Sequence, residues 1–289
     1  MNGSSTVKAA MTSMKLAHIR SIPVLAEDGS VNGLLDYVDL LAFLLDVIPE
    51  NLSLEMLHAY DYEGRFFNAL CKDLVNYSKT NAYSPLRETD SLKLAMEQLL
   101  THRRVPVLNA DGRVTNVLSQ SSMIRMLEQS MTRLSKADVG FEQARSSLDE
   151  LQLGFKEVAF SPVDVTVERA LRTLKDWKVT SMGLTDESST LVGHLAVKDL
   201  NLLIPEDGWG GFRTLCLPLG STPFLGRATT RKFKTTYLTC TKSTTLQELA
   251  QKFVYGNFET HRMFLVDSAV RPLGVISIRD ILPYVIIIT

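Results

Sequence analysis

The chain has 289 residues, 45% apolar and 22% charged, with 31 Lys+Arg against 32 Asp+Glu and a formal net charge of −1. That is the balance of a globular protein large enough to bury a core without disulfide or metal staples, and it gives no global field for nucleic acid or a membrane surface. Cys71, Cys216 and Cys240 lie far apart without zinc spacing, as expected of reduced thiols in a cytoplasmic or nuclear compartment, and no apolar run approaches the roughly twenty residues needed to cross a bilayer.

In chain order, the apolar spacing predicts the same parts four times. Copy one has a helix at Val7–Ile19, a strand at Ser21–Leu25, a turn at Glu27-Asp28-Gly29, a strand at Val31–Leu35 and a helix at Asp39–Val47. Copy two has Leu92–His102, Val105–Leu108, Ala110-Asp111-Gly112, Val114–Leu118 and Ser122–Leu127, its first helix capped by Thr89 or Ser91. Copy three has Val167–Trp177, Thr180–Thr185, Asp186-Glu187-Ser188, Leu191–Leu195 and Asp199–Leu203. Copy four has Leu246–Phe253, Met263–Val266, Asp267-Ser268, Pro272–Ile276 and Asp280–Val285. The corresponding strand positions 23, 106, 183 and 264 stand roughly eighty residues apart, beyond the period of about 20–50 of solenoid repeats. Tandem α/β modules result, at 1–49, 80–130, 156–205 and 233–289, with linkers at 50–79, 131–155 and 206–232.

The first linker is expected to hold a helix at Leu52–Leu57 and an aromatic stretch around Phe66 and Phe67. The second reads as one amphipathic helix. The third holds Trp209, a candidate partner contact, and the basic run Arg227, Arg231, Lys232 and Lys234, read as a solvated segment. Trp177 and the methionines are assigned to the core, and His58 and His194 to structural roles. Val285–Ile288 reads as a buried strand or a helix end. No Walker loop, GxGxxG, GxSxG or HExxH string occurs, and no nucleophile–base or metal constellation points to an enzyme.

The unit resembles the CBS module, β-α-β-β-α, two of which pair into a Bateman domain. The resemblance rests on TYLTCTKSTTLQELAQKFVYGNFETHRMFLVD followed by PLGVISIRDIL in copy four, and on THRRVPVL in copy two. Four modules filling the chain are similar to the γ regulatory subunit of the AMP-activated/SNF1-type protein kinases. This implies consecutive copies paired as one–two and three–four, in a pseudo-symmetric disc. Copy one departs from the pattern, since only Met1–Thr6 precede its first helix where a strand is expected. Either the chain has been trimmed or that module is incomplete.

The resemblance also implies site residues. The ribose is held by Ser/Thr-x-x-Asp at the start of the second helix, a carboxylate being a strong acceptor for both hydroxyls. Copy four has Ser277 and Asp280, copy one Asp36 and Asp39, copy three Ala196 and Asp199. Copy two has Ser119 and Ser122 and lacks the carboxylate. Each Asp reads equally as a helix cap. The phosphates are expected at basic residues leading into the first hairpin strand: His261 and Arg262, Arg103 and Arg104 after His102, Lys178, and Arg20 near His18. Arg103 stands where the family has His. Thr239 and Thr241 are candidates for the base edge, or an ordinary strand.

The expected function is a non-catalytic subunit binding AMP, ADP or ATP, with kinase catalytic and scaffold subunits or a self-associated CBS assembly as partners. No metal, nucleic-acid or membrane partner is expected. The alternatives are a degenerate CBS scaffold without ligand sensing, and the regulatory fragment of a larger enzyme or transporter.

Overall fold

The computed structural model describes residues 1–288 except 81, 137, 139, 205–210, 225–238 and 256–260, and the backbone alone at 285–288. The calls on Trp209 and the basic run 227–234 lie outside these residues. Each copy opens its first helix in the same way. Thr6, Ser91, Thr166 and Thr245 accept a hydrogen bond from the N–H three residues on, in Ala9, Leu94, Arg169 and Glu248. This meets one of the donors that a helix start leaves without an intrahelical partner. The helices are α1 (Val7–Leu16), α6 (Leu92–Thr101), α9 (Val167–Asp176) and α10 (Leu246–Tyr255).

Each first helix leads into an antiparallel hairpin: β1–β2 (Ser21–Leu25, Val31–Asp36), β4–β5 (Arg104–Leu108, Val114–Ser119), β7–β8 (Ser181–Thr185, Leu191–Ala196) and β10–β11 (Arg262–Val266, Pro272–Ser277). The turn residue with positive φ is Gly29, Gly112, Ser189 or Val270. In copies two to four a leading strand adds beside the hairpin: β3 (Leu86–Arg87), β6 (Phe160–Pro162) and β9 (Thr239–Cys240), each parallel to its neighbour. In copy one that strand shrinks to a single parallel bridge between Asn2 and Leu25, reinforced by Gly3 N–H donating to the Leu25 carbonyl over 2.9 Å. The second helices are α2 (Tyr37–Val47), α7 (Gln120–Arg133), a 3₁₀ turn at Val197–Leu203 where an α-helix was expected, and α11 (Ile278–Ile288). Val285–Ile288 is thus the end of a helix.

Two compact units result. Unit 1 comprises residues 1–83, 159–186 and 192–232, and unit 2 comprises 84–158, 187–191 and 233–289. In unit 1 the helices of copies one and three share a core containing Met11, Met14, Leu40, Leu44, Leu171, Leu174 and Leu200. In unit 2 copies two and four share one containing Leu99, Ile124, Leu127, Leu249, Ile276 and Ile281. The shared cores therefore join alternate copies, one with three and two with four. The reason lies in the helices. Each second helix has more apolar surface than its own hairpin covers, and another copy's helices complete the burial.

Three expectations are corrected. The second linker is not one helix: α7 stops at Arg133, Asp138 ties the chain into a turn by accepting from Ser135 N and Oγ, and Gly140 adopts φ 92°. Only the short α8 (Phe141–Arg145) follows. Trp177 is 45% exposed, not core. It continues the stripe Val167, Ala170, Leu171, Leu174, but it is the C-cap, and Lys178 at φ 51° turns the chain away before the ring can be covered. The first-linker helix lies at Leu54–Ala59 (α3), started by Ser53. It is followed by α4 (Tyr62–Phe67) and α5 (Cys71–Leu74), with Phe66 and Phe67 buried against Phe212.

Candidate functional site

The repeated carboxylate sits at the third residue of the second helix. There it accepts from the backbone N–H at the helix cap: Asp39 Oδ2 from Asp36 N over 3.1 Å, Asp199 Oδ2 from Ala196 N over 2.8 Å, and Asp280 Oδ2 from Ser277 N over 2.8 Å. In copy two Ser122 replaces the carboxylate, and its own N–H donates to Ser119 Oγ over 3.3 Å. One oxygen of each Asp, Oδ2, therefore closes a cap, and Oδ1 is the oxygen that the cap does not use.

The fate of Oδ1 differs between copies. Asp39 is wholly buried, and its Oδ1 accepts from Ser78 N over 2.9 Å and Ser78 Oγ over 2.7 Å. Burial and the adjacent Asp36 carboxylate push the Asp39 carboxyl up to about 6, against the Ser78 bonds, which lower it. Asp280 Oδ1 pairs with the Lys156 ammonium, while Ser277 Oγ donates to Oδ2 over 2.9 Å. Asp199 is 7% exposed.

The basic positions are sorted by the backbone. In copies two to four the first residue of the second helix donates its N–H back to the chain entering the hairpin: Gln120 to Arg103, Val197 to Thr180 and Ile278 to His261. Thr180, not Lys178, therefore occupies the place of Arg103 and His261. Lys178 is exposed two residues upstream, at the left-handed position that His18 takes in copy one. The next residue faces the helix cap across the hairpin, as Ser21 opposite Asp36, Arg104 opposite Ser119 and Arg262 opposite Ser277. Unit 2 thus holds two aligned basic pairs, Arg103-Arg104 and His261-Arg262. Unit 1 has Arg20-Ser21 and Thr180-Ser181.

In unit 2 the two copies are linked through Arg262 and His261. The Arg262 guanidinium is pulled down to about 10 by desolvation and by the positive charge of Arg103, with Asp280 opposing. His261 Nε2 lies 2.9 Å from Ser121 Oγ on α7, which ties copy four to copy two. Like charges that are half-buried and act on one another are unfavourable alone and gain from an anion placed between them. Thr239 is buried in β9, with its carbonyl accepting from Lys252 Nζ, and Thr241 is engaged with Ser243 and Thr244 in the turn before α10. The structure therefore gathers Arg103, Arg104, His261, Arg262, Ser277 and Asp280 in one unit, and places Asp39, Asp199 and Lys178 in the other. Sequence reading missed Ser78, Ser121 and Lys156, which lie outside the repeated motif. Among the described residues no cluster of His, Cys, Asp and Glu could hold a metal, and no helix is long and apolar enough to cross a membrane.

The family model described as CBS domain matches residues 82–129 and 231–287, in copies two and four. Protein SDS23 of Candida albicans is 23% identical over 226 residues, covering 69% of this chain and 36% of that protein. Protein sds23/moc1 of Schizosaccharomyces pombe is 24% identical over 197 residues, covering 63% and 45%. The chain thus spans less than half the length of these curated relatives. In fold it matches protein MJ1225 from Methanocaldococcus jannaschii, described as a proposed archaeal homologue of g-AMPK. The TM-score is 0.74 and the identity 17%, over 98% of this chain and 94% of that one. An uncharacterized conserved protein from Pyrococcus horikoshii matches with a TM-score of 0.52 and 17% identity, over 92% and 91%. Copies two and four thus each match the CBS-domain model, and the fold of the chain is that of the archaeal MJ1225 protein.

Proposed function

We propose that this protein is a non-catalytic regulatory subunit that binds an adenine nucleotide and tunes a protein kinase complex, as its resemblance to the γ subunits implies. The observation that carries the reading is that Arg262 lies opposite Ser277 of the Ser277–Asp280 cap in unit 2, where the charge of Arg103 also acts on it. Two planar guanidinium forks suit phosphate oxygens, and a carboxylate nearby suits ribose hydroxyls. A ligand shifts a regulatory equilibrium only through its different affinity for the two states, so a nucleotide spanning copies two and four would act on how α7 and α11 pack.

The test is calorimetry of the full chain with AMP, ADP, ATP and S-adenosylmethionine. One nucleotide is expected to saturate. Arg262→Ala should weaken it by about tenfold or more, the effect of one charge-assisted hydrogen bond, whereas Arg20→Ala in unit 1 should leave it unchanged. A second reading, a CBS scaffold without ligand sensing, is favoured by the occupied Asp39 and the missing carboxylate of copy two. It predicts no heat with any of the four ligands and capture of kinase subunits independent of nucleotide.

A further inference from the structure

Two linkers of unrelated sequence reach the repeated carboxylate in the same manner. In unit 1 the linker lays Val75 into the gap left by Gly33, where an added Cβ would fall 2.4 Å from Val75 Cγ1, and three residues later Ser78 donates to Asp39 Oδ1. In unit 2 the linker lays Gly154 against Gly274, where an added Cβ would fall 1.7 Å from the Gly154 carbonyl oxygen. Two residues later Lys156 pairs with Asp280 Oδ1. Gly33 and Gly274 are both third in their strands, and Asp39 and Asp280 are both third in their helices. The glycine is a notch that seats the linker, and the linker then delivers a donor to Oδ1.

The two copies of this device differ in strength. Ser78 binds a wholly buried carboxylate through two hydrogen bonds, and that contact is closed. Lys156 holds Asp280 by one ion pair, with side chains 63% and 12% exposed. The chain leading into Lys156 is fixed at two points. Leu148 N–H donates to the Thr244 carbonyl over 2.9 Å, and Lys242 Nζ lies 5.1 Å from the Phe155 ring centroid. The ammonium can therefore move while its backbone stays docked. Arg262 lies opposite Ser277, and the charges of Asp280 and Arg103 both act on it.

We infer that Lys156 is an exchangeable lock on the unit 2 site. This rests on reading that site as a nucleotide site. The ribose hydroxyls displace the ammonium from Asp280 Oδ1, and the released ammonium joins Arg103 and Arg262 around the phosphate. Lys156 then opposes a ligand that lacks a phosphate, because breaking the pair is uncompensated, and tolerates one that carries it. It is a specificity-determining residue that separates nucleotide from nucleoside.

The experiment is calorimetry of the full chain with adenosine and with AMP, on the wild type, Lys156→Ala, Lys156→Met and Asp280→Ala, with melting curves to confirm folding. Removal of an exposed ion pair that competes with the ligand should tighten adenosine by about twofold to fivefold, while AMP binds no tighter or more weakly. The preference for AMP over adenosine therefore falls in both Lys156 variants. An unchanged preference in variants that still bind AMP overturns the lock and leaves the nucleotide reading standing. No binding of AMP or adenosine to any of the proteins overturns both.

Discussion

At the scale of single residues, Asp39 and Val270 carry measurable consequences. The Asp39 carboxyl is raised from 3.8 to about 6 by burial and by Asp36. The folded state therefore holds a proton that the unfolded chain releases, and this contribution to stability is present below about 4 and lost as pH rises through about 6. Asp39→Asn should flatten the fall in urea-unfolding stability across that window. Val270 takes φ 59° at the hairpin turn where copies one and two have Gly29 and Gly112. A β-branched residue there is strained by about 1–2 kcal/mol, part of which glycine returns through its freer unfolded state. Val270→Gly should raise stability by about 0.5–1 kcal/mol, read as a higher melting temperature.

At the scale of elements, the linkers and helices are held by contacts that a small change disrupts. Gly274 on β11 leaves no space for a side chain beneath the Gly154 carbonyl. Gly274→Ala should force the linker away and destabilise unit 2 by about 1–3 kcal/mol or more, as overpacking does. Between α2 and α9, Arg172 pairs with Glu168, which is 3% exposed, and donates to the carbonyls of Ile48 and Pro49 at the end of α2. Arg172→Met should cost about 3–5 kcal/mol, because it leaves a buried carboxylate without its partner. Equilibrium urea unfolding of each variant reads both effects.

At the scale of the whole molecule, each core is assembled from distant stretches of chain. Unit 1 draws on residues 1–83 and 159–186, and unit 2 on 84–158 and 233–289. A fragment ending at residue 158 keeps α2 but loses α9, and keeps α7 but loses α10 and α11. The fragment 1–158 should unfold at lower urea than the full chain and bind a hydrophobic dye that the full chain does not. The same interleaving bears on regulation, because the basic pairs of copies two and four meet only when both copies are present.

The amino-acid sequence by itself determined the repeat, the module type and the residues that recur with it. A strand–turn–strand flanked by helices is written in local periodicity, and Ser91, one of two cap candidates, was legible because capping acts over three residues. The left-handed turn positions at Gly29 and Gly112 were legible for the same reason. The tertiary structure alone decided which copies share a core, which carboxylate oxygens are occupied and which cations meet. Trp177 looked like core because helical spacing describes a face and is silent on where the helix ends. Lys178 looked equivalent to Arg103 until backbone hydrogen bonds placed Thr180 there. Ser78 and Lys156 gave no signal, because their partners Asp39 and Asp280 lie 39 and 124 residues away. Local patterns fix elements through neighbours in sequence, while a site depends on long-range packing that brings distant residues to one oxygen.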